Sequence, residues 1–290
     1  MTAFQTRHLV VNGVHSPVLI GGTEATGEAV VFVHGNPDAG SDWEPLMKHV
    51  AEFAAVVAPD MPGFGGADKD AAQDYTLAAY GAHLGGVIDQ LGIDRVHLVA
   101  HDFGGPFALT WAAANPGKVA SVTLINTGVL LDYRWHRLAR VWRIPVVAEL
   151  FMRATTRRTA HFVIGHDNPG LPEEWLDRIV EHLLPAGTKR AVLRVYRSTQ
   201  QKTWTPLSNP CATAIPTRWW CSAPWTSTSR SSRPNASAAC SRAHELKSCP
   251  VSVTGRGSSN PTRLPGSSFR SCVNGWAQPF RNPTNTRRFR

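Results

Sequence analysis

Between Val96 and Pro116 the chain passes from a short apolar run, Val96-His97-Leu98-Val99-Ala100, through His101-Asp102-Phe103, into a longer segment from Gly104 to Ala114 that ends at Asn115-Pro116. The run has the length and composition of a buried strand, and the second segment reads as a helix that the Asn-Pro pair stops. An acidic residue, Asp102, therefore stands where a strand hands over to a helix. Ala100 and Gly104 on either side leave room for a sharp, strained turn. The free N–H groups and positive dipole end of the helix lie next to the Asp102 carboxylate. A strand-turn-helix of this kind belongs in an α/β sheet. A carboxylate held at its apex is placed to attack an electrophile, although capping the helix is the plainer use of an Asp.

Two further motifs precede it: Val31-Phe32-Val33-His34-Gly35-Asn36-Pro37 and Asp60-Met61-Pro62-Gly63-Phe64-Gly65. With His101-Asp102-Phe103-Gly104-Gly105 they make an ordered set of three. Over roughly residues 8 to 200 the chain resembles the α/β-hydrolases that use an Asp nucleophile at the elbow. It is most like the epoxide hydrolases and next most like the haloalkane dehalogenases. The resemblance implies a mostly parallel sheet flanked by helices with a helical lid above it. It makes Asp102 the nucleophile, forming an alkyl-enzyme ester that water then hydrolyses to a diol. It assigns the oxyanion-stabilising N–H groups to Asn36 and Phe103. His34, Gly35, Pro37, His101 and Gly104 support these motifs, with His34 structural rather than a general base.

Leaving-group residues separate the two branches. Dehalogenases of this type hold halide with a tryptophan directly after the nucleophile, where this chain has Phe103, whose side chain has no N–H to donate. Epoxide hydrolases use two lid tyrosines. Tyr196 resembles the second, with a core ring as its plainer reading. The first has no clear match: Tyr133 lies near the start of the lid, and residues 151–162 contain no tyrosine. The expected substrate is a small apolar epoxide. A dehalogenase or ester hydrolase, and a non-catalytic binder on the same fold, are the alternatives.

The resemblance stops abruptly. Residues 1–200 carry 17 Lys and Arg against 20 Asp and Glu, whereas 201–290 carry 13 against 1, so the net charge of +9 is a property of the tail. All five cysteines and 15 serines also lie there. A disordered basic tail, a nucleic-acid-binding arm and translation out of frame are the three readings. Arg, Ser, Pro, Thr, Cys and Trp are what GC-rich coding DNA gives out of register. Shifted back one nucleotide, the codons of residues 218–226 permit Val-Val-Phe-Gly-Ala-Leu-Asp, a strand followed by Gly-x-x-Asp. Those of residues 253–262 permit Gly-His-Trp-Pro-Trp-Phe-Glu-Gln-Pro-Asp. By resemblance these are the triad acid and the catalytic histidine. Residues 201–290 are accordingly read as out of frame and unstructured, with the break near 198–205 and no nucleic-acid partner. Such a chain lacks its acid and base, and its sheet keeps an open edge.

The remaining divisions are 1–127, the first part of the hydrolase core, and 128–200, the lid. Strands are expected at 29–33, 54–59, 96–100 and 119–126, after a hairpin over 9–19 turned by Asn12-Gly13. His97, His101, His136, His161, His166 and His182 are base or ligand candidates by residue type. No Cys/His ligand set is read, and neither metal nor cofactor is expected. With no basic-plus-apolar leader and no apolar run of about 18 residues, a cytoplasmic protein away from membranes is expected.

Overall fold

The computed structural model describes residues 3–23, 27–70, 72–127, 135–199 and 219–222, all within the first of the two units, 1–250 and 251–290, into which the chain divides. A seven-stranded sheet organises them, in the order β1-β2-β4-β3-β5-β6-β7. β1 (Gln5–Val11) and β2 (Val14–Gly22) form an antiparallel hairpin. Its turn is made by Asn12 and Gly13, both at positive φ, as a two-residue hairpin requires. β2 runs antiparallel to β4 (Ala55–Pro59), and from there across β3 (Glu28–Val33), β5 (Arg95–His101), β6 (Val119–Ile125) and β7 (Trp219–Ser222) every pairing is parallel. All of β4 and five of the six β3 residues are buried. That is the continuous apolar pattern of strands covered on both faces.

Helices α1 (Glu44–Val50), α2 (Leu77–Gln90) and α3 (Gly104–Ala114) accompany the strands. Thr76 caps α2 by accepting from the Ala79 N–H. Gly81 and Gly85 let α2 approach α3: a Cβ on Gly81 would lie 3.2 Å from the Trp111 nitrogen, and one on Gly85 would lie 3.0 Å from Trp111 Cδ1. The Tyr80 ring stacks on Phe107 at 3.8 Å.

Among the described residues five helices follow β6: α4 (Arg137–Trp142), α5 (Val147–Ala154), α6 (Arg157–Asp167), α7 (Glu173–Leu183) and α8 (Ala186–Ser198). This helical segment is tied to the loops at the sheet's end. Arg178 of α7 pairs with Asp42 at 2.7 Å, and the Ser198 hydroxyl donates to Tyr75 O at 2.7 Å. After residue 200 the structure describes Trp219–Ser222 alone, with Trp219 opposite Val122 and Ser222 opposite Ile125. No strand periodicity is legible there. A parallel ladder is made by backbone groups, so four residues can join it without an alternating pattern. The other residues invoked in the frame argument, and the part of the break from 200 onward, lie outside the described residues. None of the described helices is long and apolar enough to cross a membrane.

Candidate active site

Asp102 follows the last residue of β5 and has φ +50°, a left-handed conformation that Asp tolerates better than most residues. The elbow is clamped from several sides. The Asp102 N–H donates to Ile125 O at 3.3 Å, while its carbonyl accepts from Thr127 Oγ1 at 2.7 Å and from Gly105 N at 3.2 Å. Close approach fixes two of the small residues. A Cβ on Gly104 would lie 2.2 Å from Val33 O, and one on Gly35 would lie 2.4 Å from Asp102 Cβ. Neither position admits a side chain without moving the backbone or the carboxylate.

The loop after β3 closes over that carboxylate. Asn36 N–H donates to Asp102 Oδ1 at 3.1 Å, and the Phe103 N–H donates to the same carboxylate. Burial nevertheless pushes the Asp102 carboxyl up to about 6; the His101 charge and the two N–H groups oppose the rise, and the Asp38 charge adds to it. Asn36–Pro37 is a cis peptide. The Asn36 side-chain Nδ2 and Oδ1 are enclosed and have no hydrogen-bond partner among the described residues.

His34 is 1% exposed and uses both ring nitrogens: Nδ1 lies 2.8 Å from Gly35 O, and Nε2 accepts from the Met61 N–H at 2.8 Å. It is therefore neutral with its proton on Nδ1, and it stitches the loop after β3 to the one after β4. His101 turns to Asp38, with Nδ1 3.2 Å from Oδ2. Burial draws the His101 imidazole down, but the Asp38 bond and charge, helped by Asp102, leave it raised. Burial likewise opposes the Asp38 charge, and His101 outweighs it, holding the Asp38 carboxyl below its ordinary value. Asp38 was not singled out from the sequence. Its position just after the His-Gly-Asn-Pro turn is the one signal that pointed to it.

Tyr196 of α8 is 3% exposed, and its ring meets Phe103 edge-on at 4.9 Å. Trp142 at 5.1 Å and Trp135 at 5.5 Å complete an aromatic cluster beside the elbow. The Tyr196 hydroxyl lies 3.1 Å from His136 Nε2. Arg143 donates to the Tyr196 carbonyl and, at 2.6 Å, to Thr199 O, holding the end of α8. The ring packs as a core residue would, with its hydroxyl engaged. Tyr133 lies outside the described residues.

The other histidines are occupied elsewhere. His97 contacts Ser121 and Glu28, His161 pairs with Glu173, His182 with Asp42, and His166 stacks on Phe162. His97 and His101 do carry a His-x-x-x-His spacing, but on a strand it separates them by about 13 Å instead of placing them on one helix face. Among the described residues no group of three or more His, Cys, Asp or Glu could hold a metal ion.

Residues 28–166 match the family described as the alpha/beta hydrolase fold. The chain has an α/β-hydrolase fold. Among curated relatives of this chain, a 2-hydroxy-6-oxo-2,4-heptadienoate hydrolase of Pseudomonas putida is 36% identical over 118 residues, covering 38% of this chain and 43% of that protein. A haloalkane dehalogenase of Mesorhizobium japonicum is 30% identical over 178 residues, 60% of this chain and 53% of the other. The chain thus spans about half the length of the curated relatives it matches. Among solved structures, the epoxide hydrolase CorEH superposes with a TM-score of 0.61 at 18% identity, covering 76% of this chain and 83% of that one. A loop variant of the haloalkane dehalogenase DbeA from Bradyrhizobium elkanii gives 0.63 at 20% identity, covering 75% and 79%. Both likenesses show the fold.

Proposed function

We propose that this hydrolase opens small apolar epoxides by covalent catalysis on Asp102. A carboxylate oxygen of Asp102 attacks an epoxide carbon, the carbon–oxygen bond of the ring breaks, and the departing oxygen takes the hydroxyl proton of Tyr196. The product is a 2-hydroxyalkyl ester of Asp102. The N–H groups of Asn36 and Phe103 then face the oxyanion that develops when water attacks this ester. Helices α4–α8 act as the lid that brings Tyr196 to the elbow and excludes water. The observation that carries the reading is an aspartate at a strained elbow whose carboxylate meets two converging backbone N–H groups, with a tyrosine packed on the adjoining residue.

In this chain the reaction stops at the ester. Hydrolysis needs a base and its orienting acid, and the shifted codons after residue 200 no longer encode the segments that would supply them. Incubation with styrene oxide followed by intact mass measurement tests this: the protein gains one epoxide equivalent, mapped to Asp102, and releases no diol over many equivalents. Asp102→Asn gains nothing.

The enclosed, unpartnered Asn36 carboxamide favours a second reading, haloalkane dehalogenation, in which its N–H would hold a departing halide. Stoichiometric halide release from an alkyl bromide, with no adduct from epoxides, selects it. A binder without chemistry would instead keep its ligand in Asp102→Asn and form no adduct.

A further inference from the structure

Tyr196 and His136 stand 60 positions apart, and the geometry around His136 settles which of the two donates to the other. His136 is the N-cap of α4, and its Nδ1 accepts the Ala139 N–H at 3.2 Å. A backbone N–H can only donate, so Nδ1 carries no proton, and in the neutral ring the proton sits on Nε2. Nε2 is the atom 3.1 Å from the Tyr196 oxygen. The imidazole therefore donates and the phenol oxygen accepts, which turns the phenol's own hydrogen away from His136.

We infer that His136 is a positioning residue for Tyr196: it orients the phenol as a donor towards the elbow and strengthens it as an acid. The inference rests on the epoxide-opening reading above. Three observations converge on it. The His136 ring stands edge-on to Tyr196 at 5.9 Å and to Trp142 at 6.0 Å, so the aromatic cluster fixes its plane. The helix cap fixes its tautomer. Tyr196 itself abuts Phe103, the residue after the nucleophile. A hydrogen bond accepted by the phenol oxygen withdraws charge from it and stabilises the phenolate left when the proton passes to the epoxide oxygen. Solvent then returns the proton.

A purely structural histidine would affect all alkylations of Asp102 alike. A histidine acting through the Tyr196 proton would affect only electrophiles whose leaving atom needs that proton. Ester formation on Asp102 is therefore followed by mass with styrene oxide and, separately, with benzyl bromide, whose leaving bromide needs no proton. In His136→Phe the epoxide-to-bromide rate ratio falls about tenfold, the worth of one hydrogen bond, and His136→Gln, which keeps an N–H donor, recovers part of it. Nitrogen NMR of the resting protein places the imidazole proton on Nε2. An unchanged ratio, equal slowing with both electrophiles, or a proton on Nδ1 overturns the role of His136 while leaving the Asp102 chemistry standing. Absence of any adduct in the unmodified protein overturns the functional reading and this inference with it.

Discussion

Asp102 pays for its position: burial destabilises its carboxylate, and the elbow holds its backbone at positive φ. Two consequences can be measured. Only the carboxylate is a nucleophile, and the group titrates at about 6. Ester formation is therefore level above neutral pH and falls as pH drops through 6, approaching tenfold per unit; a rate independent of pH between 5 and 7 would contradict this. The raised value also means that the folded state disfavours the charge relative to the unfolded chain. Asp102→Asn, which removes that charge, raises the melting temperature at pH 7 while abolishing the adduct. A lower melting temperature would show that the carboxylate is a net stabilising group.

The elements were largely legible because their signals are local. Asn12-Gly13 fixes the hairpin, and the apolar runs at β3 to β6 and the Asn115-Pro116 stop each reside in a few consecutive residues. The same holds for the nucleophile, whose turn is written in His101-Asp102-Phe103-Gly104. What could not be read was long-range pairing. Asp38 with His101, and Tyr196 with His136, are 63 and 60 residues apart, and no spacing rule links them. His83 was missed for a related reason: on α2 it occupies an apolar-face position that a Leu could fill, and it is 3% exposed. Burial pushes its imidazole down to about 4, against a weaker pull from the Val11 backbone. The folded state thus prefers the neutral ring. Its stability is full above the ordinary histidine value of about 6.5 and declines as pH falls from there towards 4, by up to about 3 kcal/mol from this residue. His83→Leu flattens the decline; denaturation at pH 7 and pH 5 measures it, and an unchanged difference between them rules His83 out as the cause.

At the scale of the molecule, the body and the tail are written in different compositions. The body's balance of 17 basic and 20 acidic residues suits an ordinary hydrolase core, whereas 13 against 1 over the last 90 residues does not. β7 occupies Trp219–Ser222, within the stretch whose codons, shifted back one nucleotide, permit Val-Val-Phe-Gly-Ala-Leu-Asp. Restoring the frame by a one-nucleotide change within codons 195–210 of the encoding DNA converts a single-turnover protein into one that releases diol repeatedly. If the restored protein remains silent, the frame account fails.

The most direct test is the mass of the protein after incubation with excess styrene oxide. One added epoxide equivalent, located on Asp102 and persisting after the reagent is removed, is the outcome expected of a nucleophile that attacks and a chain that cannot complete hydrolysis. An unmodified protein with no diol formed, or diol accumulating over many turnovers, would contradict it.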